Sequence, residues 1–280
     1  MSGGHSPSPD TARISPTAHY TGSVWRANGL GDPRLDGVLE RRPHRLVSPG
    51  GRLLAPFLGG ATLDTSLLQR HLILDAQVRL AVEEGARQVI EVPAGFSARG
   101  LRLGGLAPGL TWLDGDLDHM VALRKRALGD DHPVRVIDLL RDDGPRSLDA
   151  ACQALDPSVP TVIVIEGLFN YFPTPVITQM WARCARALSR FPRGWLLGDA
   201  ALGHHVRRNP LVRLFLVTLS GIARGSTHAH FESPEGAEAA LRAAGFDQAL
   251  VHSPQARAAE LSLPAGHAPD YLCVLEGRLG

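Results

Sequence analysis

The stretch ARQVIEVPAGFSARGLRLG, residues 86–104, limits the possible folds more than any other part of the chain. Gln88, Val89, Ile90, Glu91 and Val92 form a short run rich in branched apolar residues, the pattern of a strand buried on both faces. Pro93-Ala94-Gly95 then breaks the run. A buried strand that stops at a glycine-containing turn before a crossover is how open α/β sheets hold a ligand outside their carboxyl edge.

The rest of the chain can be phased from this strand. A helix is expected over 63–86, where Leu67, Leu68, His71, Leu72, Leu74, Val78, Leu80 and Ala81 recur mostly at three- and four-residue spacing and Gly85 supplies a stop. Further strands are expected at 110–113, closed by Asp114-Gly115-Asp116, and at 133–137, 161–165, 194–199, 248–252 and 271–276. Helices are expected at 118–128, 145–154, 174–190 and 233–244. On the first of these, Met120, Val121 and Leu123 point inward and Arg124, Lys125 and Arg126 outward. The last opens on Ser233-Pro234-Glu235, a cap, a first-turn proline and an acid.

Strands that alternate with helices imply parallel pairing through right-handed crossovers. The final two strands lack a clear helix between them and imply an antiparallel finish. The expected fold class is α/β, a mostly parallel seven-stranded sheet with an antiparallel last strand, and the 280 residues read as one domain. Residues 1–17 are Ser/Pro/Gly-rich and expected to be disordered. Residues 18–60 read as an irregular arm with one or two short helices, and 204–231 as a lid insertion.

Composition excludes some classes. A formal net charge of +1 gives no electrostatic draw toward nucleic acid or an anionic membrane. The apolar stretch 211–223 is short and interrupted by Arg213, so no membrane span is expected. Cys152, Cys184 and Cys273 fit neither a disulfide framework nor a zinc pattern, which implies free thiols in a reducing compartment, the cytoplasm by default. His204-His205 and His228-Ala229-His230 have no carboxylate or cysteine neighbour to complete a ligand set, so no metal is expected.

Four strands end at or beside a carboxylate: Glu91, the pair Asp114 and Asp116, Asp138, and Glu166. Carboxyl ends of parallel strands share an edge, so these acids can line one crevice; the preference of turns for Asp explains any one alone. At the positions of a dinucleotide-type G-x-G-x-x-G the chain has Pro93, Gly95 and Ala98, so the first glycine and one backbone donor are lost. Asp116, about 20 residues past the turn, suits a ribose acceptor. Together these point to an adenosine cofactor without a pyrophosphate. A Walker-type phosphate loop is absent.

The ordered segments RHLILDAQVRLAVEEGARQVIEVPAGFSARGLRL, WLDGDLDHMVALRKRAL, VRVIDLL and PTVIVIEGLFNYFP resemble the leucine carboxyl methyltransferase-like family of class I S-adenosylmethionine-dependent methyltransferases. Within it, they are similar to the bacterial branch linked to O-methylation of polyketides and other small molecules. The resemblance implies a Rossmann-like fold and S-adenosyl-L-methionine as cofactor. It further implies that Arg70 binds the cofactor's carboxylate, Gly95 lies against its methionine portion and Asp116 holds the ribose. Asp138 and Leu139 would frame the adenine, with Glu166 near the amino group or sulfonium and Glu91 beside the turn. Arg99 is a second candidate for the carboxylate. The chain departs from the pattern at Pro93, where glycine or alanine is usual, and at Ser97, where aspartate is frequent.

For the methyl acceptor, Tyr171 and Tyr20 are candidates for positioning, with His19, His204, His205, His228 and His230 as further bases or clamps. A carboxylate acceptor needs no base, whereas a phenol, with a pKa of about 10, gains from one. The alternatives are a protein C-terminal carboxylate as acceptor, a homologue that binds the cofactor without turnover, and an NAD-dependent oxidoreductase.

Overall fold

A computed structural model describes residues 15–37, 63–203, 227–264 and 272–280. The expected alternation is present. After α1 (Ser15–Ala27), α2 (Pro33–Asp36) and α3 (Leu63–Glu83) come β1 (Gln88–Glu91), α4 (Arg99–Leu103), β2 (Thr111–Asp116), α5 (Asp118–Leu128) and β3 (Val134–Val136). There follow α6 (Leu148–Cys152), β4 (Thr161–Ile165), a 3-10 turn (Phe169–Tyr171), α7 (Thr174–Leu188) and β5 (Gly194–Ala201). The described chain ends with α8 (Pro234–Ala243), β6 (Gln248–His252), α9 (Pro254–Arg257) and β7 (Leu272–Leu279).

The seven strands form one sheet in the order β3-β2-β1-β4-β5-β7-β6. Strands β1 to β5 pair in parallel, while β7 runs antiparallel to both β5 and β6. Alternation of side chains divides the core into two layers. Val89, Val162, Val164, Trp195 and Leu197 face α3 through Ile73, Leu74 and Val78. Ile90, Ile163, Ile165 and Leu196 face α7 and α8 through Ile177, Met180, Trp181 and Leu241. The three cysteines are buried and free. Among the described residues, no helix is long and apolar enough to cross a membrane.

Several boundaries moved, each for a physical reason. Strand β2 continues through Asp114-Gly115-Asp116, which had read as its closing turn. Gly115 allows this, because a Cβ there would lie 2.6 Å from Ile137. On α5, Arg124 was expected outward and is 1% exposed, bonded into the sheet edge. Helix α1 begins at Ser15, inside the stretch expected to be disordered; the described part of the expected arm carries α1 and α2, and its residues 38–60 lie outside the described residues. Helix α4 was not foreseen, and α6 is shorter than the helix predicted over 145–154. Residues 204–226 of the expected lid, with His204 and His205, lie outside the described residues, as do residues 1–14.

Trp181 is fully buried in the larger layer, edge-on to Phe169 at 5.7 Å and stacked on Phe231 at 5.4 Å. Trp181→Ala is expected to destabilise the protein by about 3–5 kcal/mol, read by urea unfolding, because the surrounding helices cannot close so large a void.

Candidate active site

Register fixes the acids along one edge. Glu91 pairs with Asp114 on one side and Val164 on the other, and Ile165 pairs with Gly198, so Glu166 and Asp199 follow side by side. Over this edge lies a cavity of about 170 Å³, lined mainly by apolar side chains. Of the residues predicted for the site, Arg70, Glu91, Gly95, Asp116, Asp138, Leu139, Glu166, Tyr171 and Tyr20 all line it, although they come from six separate stretches of chain. Arg99 does not.

The turn after β1 is held by backbone and side-chain bonds together. Ala94 N–H donates to Gly115 O at 2.8 Å, and Gly95 adopts φ +50°, a conformation open to glycine at little cost. Its N–H donates to Asp116 Oδ2 at 2.7 Å, while Leu117 N–H donates to Oδ1 at 2.8 Å. Burial raises the Asp116 pKa despite these two donors. From below, Arg124 Nη1 donates to Gly95 O at 2.8 Å and Ser97 O at 3.0 Å, and its Nη2 pairs with Asp114, which also contacts His132. Asp114, one of the predicted edge acids, is therefore occupied beneath the turn and does not line the cavity.

The second feature is a buried ion cluster. Arg70 donates from Nε to Glu166 Oε1 and from Nη1 to Asp199 Oδ2, each at 3.0 Å. Its Nη2 donates to no described residue. Asp199 is fixed in turn by Gly167 N–H at 2.6 Å. Arg99 donates to Glu166 at 2.7 Å and Asp75 at 2.7 Å and pairs with Glu91. It is fully buried behind the cavity wall, so it holds other acids in place instead of presenting a free guanidinium to a ligand carboxylate. Arg102 Nη1 donates to Asp75 at 2.6 Å and closes the chain of pairs.

His71 sits inside this cluster, its ring 4.6 Å from that of Trp25. Its Nε2 faces Arg102 Nη2 at 2.8 Å, and its Nδ1 lies 2.9 Å from Glu166 Oε2. Arg99 Nη2 also lies 2.9 Å from Nδ1, but only Nδ1 has a carboxylate within hydrogen-bond reach; a guanidinium only donates, so Nε2 accepts from Arg102 and Nδ1–H donates to Glu166. Burial, then Arg99, keeps His71 neutral by lowering its pKa. Burial raises the Glu166 pKa, but His71, Arg99 and Arg70 outweigh it and hold the carboxyl well below its ordinary value. Four carboxylates (Asp75, Glu91, Glu166, Asp199) thus meet three guanidiniums (Arg70, Arg99, Arg102), leaving one negative charge uncompensated within the cluster.

His71, Asp75, Arg124 and Asp199 were not singled out from the sequence. For Asp199 a signal existed: it ends the strand expected at 194–199, although β5 runs on to Ala201. His71 and Asp75 stand four apart on the helix that carries Arg70, which places them on one face. Nothing local marks Arg124, the first of three consecutive basic residues.

At the far end of the cavity, Tyr20 donates its hydroxyl proton to Asp64 and thereby ties α1 to α3. Burial, then Asp64, raises its pKa strongly, so the phenol stays protonated and does not act as a base. Tyr171 belongs to the 3-10 turn, which is fixed on three sides. Asn170 Oδ1 accepts from Ala201 N–H at 2.8 Å, Asn170 O accepts from His228 N–H at 2.7 Å, and His230 lies against Phe169 O at 3.2 Å and the Thr174 hydroxyl at 3.1 Å. His19 packs on Phe96, ring centroids 4.6 Å apart. Among the described residues, no group of three or more His, Cys, Asp or Glu side chains is placed to hold a metal ion.

Comparison with known proteins gives this geometry a context. Residues 59–185 match the model of the leucine carboxyl methyltransferase family. That stretch, a little under half of the chain, includes Arg70, the glycine turn and strands β1 to β4, and is what the chain shares in sequence with that family. A provisionally assigned S-adenosyl-L-methionine-dependent methyltransferase of Streptomyces avermitilis is 30% identical over 134 residues, 44% of this chain and 44% of that protein. A second, from Mycolicibacterium gilvum, is 33% identical over 99 residues, 33% of this chain and 31% of that protein. Each match thus spans less than half of the curated relative. Among solved structures, a provisionally assigned methyltransferase from Thermobifida fusca superposes with a TM-score of 0.63 at 16% identity, covering 93% of both chains. A DUF574 family protein from Streptomyces avermitilis gives 0.62 at 13% identity, covering 94% of this chain and 97% of that one. The fold is therefore the Rossmann-like class I methyltransferase arrangement.

His230 is 1% exposed, and burial lowers its pKa to about 4. Between pH 6.5 and 4 the unfolded chain binds a proton at this position that the folded chain does not, so stability falls as pH falls. Relative to His230→Gln, the wild type is expected to lose on the order of 2–3 kcal/mol over that interval, at about 1.4 kcal/mol per pKa unit. Urea unfolding at several pH values checks this; parallel curves for the two proteins would show that His230 does not titrate in this way.

Proposed function

We propose that this protein is an S-adenosylmethionine-dependent O-methyltransferase that methylates a carboxylate or hydroxyl group of a small molecule. The observation that carries the reading is the charge arrangement at the sheet edge. An arginine whose Nη2 donates to no described residue, a cluster with one excess negative charge and a separate aspartate lie around an apolar cavity. A ligand that fits this set has a carboxylate at one end, positive charge beside it and hydroxyls further along. Glu91 Oε2, buried without a hydrogen-bond partner, is a further sign that the cluster is incomplete without a cationic ligand.

In this reading the cofactor supplies a methyl group made electrophilic by its sulfonium. Arg70 Nη2 donates to the cofactor's carboxylate, and Glu166 and Glu91 provide the negative field for its ammonium and sulfonium. Asp116, each oxygen already aligned by one backbone N–H, retains lone pairs for the ribose hydroxyls. Asp138 and Leu139 frame the adenine. Gly95 N–H is already committed to Asp116, which leaves the turn poorly equipped for a pyrophosphate and disfavours NAD. Arg124 gives the turn a fixed shape without its first glycine, so Pro93 does not by itself imply a silent homologue.

Transfer from a sulfonium is an in-line displacement, and the residues contribute chiefly by alignment and exclusion of water. Tyr171, Trp25 and Leu67 close the acceptor end of the cavity in this reading. Because Tyr20 keeps its proton, an acceptor that is already ionised, such as a carboxylate, suits the described residues best. The apolar lining favours a small organic acceptor over an extended polar chain. Three reduced, buried cysteines fit action in the cytoplasm.

Calorimetry should show micromolar-range binding of S-adenosylmethionine and S-adenosylhomocysteine and none of NAD. Arg70→Lys and Asp116→Asn should each weaken binding by about 10- to 100-fold, the range of charged hydrogen bonds. Tight NAD binding, or unchanged affinity in both variants, would overturn the assignment. Transfer of a labelled methyl group to a panel of carboxylic acids and phenols then tests the acceptor class.

A further inference from the structure

We propose that Glu91 is the residue through which this site tells a cationic cofactor from its neutral product, exchanging a proton with solvent as positive charge enters and leaves the cavity. The inference rests on the reading of the cavity given above. It concerns the binary complexes, S-adenosylmethionine with its sulfonium and S-adenosylhomocysteine with a neutral thioether.

The argument begins with the count of charges. Glu91 is 1% exposed and shares Arg99 with Glu166 and Asp75, so it receives only part of one guanidinium. Its Oε1 accepts from Arg99, and its Oε2 has no well-formed hydrogen bond from a described residue, although the Ser97 hydroxyl lies close to the carboxylate. The groups around it come from every neighbouring element. Arg99 lies on α4, Asp114 on β2, Glu166 at the end of β4 and Ser97 in the turn, with Asp75 of α3 reaching it through Arg99. Arg124 and His132 contact Asp114 and moderate its charge.

Each other carboxylate of the cluster has a firmer hold. Glu166 has three donors, Asp75 two arginines, and Asp199 an arginine with a backbone N–H. Glu91 is the member with an idle oxygen, so a proton taken up by the cluster settles there. Burial first, with Asp114 and Glu166 adding to it against Arg99 and the Ser97 hydroxyl, raises its pKa to about 7. When a cation enters the adjoining cavity, the ionised form is favoured and the proton goes to bulk water. When the ligand is a neutral thioether, that part of the field is missing and the proton returns.

Methyl donor and product differ by one charge and little else, so the difference in their proton linkage isolates the effect. Calorimetry at pH 7 in buffers of different ionisation enthalpy should show S-adenosylmethionine releasing more protons than S-adenosylhomocysteine, by up to about half a proton for a group at its midpoint. Between pH 6 and pH 8 the affinity for S-adenosylmethionine should rise by as much as about tenfold, and that for S-adenosylhomocysteine by less than about twofold. In Glu91→Gln the difference in proton release should vanish. Should that variant fail to fold, the two wild-type affinity profiles decide the matter alone. Equal proton release for both ligands, parallel pH profiles, or a difference that persists in Glu91→Gln would overturn the proposal. Absence of binding by either ligand would instead refute the cofactor assignment on which it rests.

Discussion

The ion cluster of Arg70, Arg99 and Arg102 with Asp75, Glu91, Glu166 and Asp199 is the constraint on which the carboxyl edge of this sheet depends. Carboxylates gathered at adjoining strand ends repel one another, and burial makes each of them costly to ionise. Parallel register brings them together regardless. Guanidiniums entering from α3 and α4 make the arrangement tolerable, since each can satisfy two or three acids through a rigid fork of donors. Arg99 is the hub, joined to three carboxylates at once. Losing it would strand buried charges, at about 3–5 kcal/mol for a broken buried pair.

Compensation within the cluster is incomplete, and that incompleteness links stability to function. A core stabilised for its own sake would gain little from four acids and three arginines when apolar side chains of similar volume serve as well. The surplus negative charge accords with the proposal that the cavity receives a cationic cofactor. His71 contributes by staying neutral, giving Glu166 a donor without adding a fourth cation. A protonated imidazole there would cancel the surplus.

The turn after β1 illustrates how a fixed shape can be reached by different means. Glycine-rich turns of this kind rely on missing side chains to bring backbone close to ligand. Here only Gly95 keeps that freedom. The remaining geometry comes from Asp116, which gathers two backbone N–H groups, and from Arg124, which gathers two carbonyls from beneath. On β5, Gly198 lets Phe169 approach the sheet, since a Cβ there would lie 2.6 Å from the ring. That close contact seats the 3-10 turn carrying Tyr171 on β5.

The sequence by itself determined the strands, their parallel alternation with helices and the acids that end them. These follow from the spacing of apolar residues and turn residues within about ten positions, a distance over which a chain can be read locally. It therefore placed Glu91, Asp116, Asp138 and Glu166 on one edge before any coordinates. Only the tertiary structure decided which arginine faces the cavity and which disappears behind it. Arg70 and Asp199 are 129 residues apart, and Arg70 and Glu166 are 96 apart. Arg99 and Arg124 look like surface residues until the packing of α4 and α5 turns them inward. A guanidinium's role depends on which carboxylates lie within hydrogen-bond reach once the helices have packed, and no local pattern records that distance.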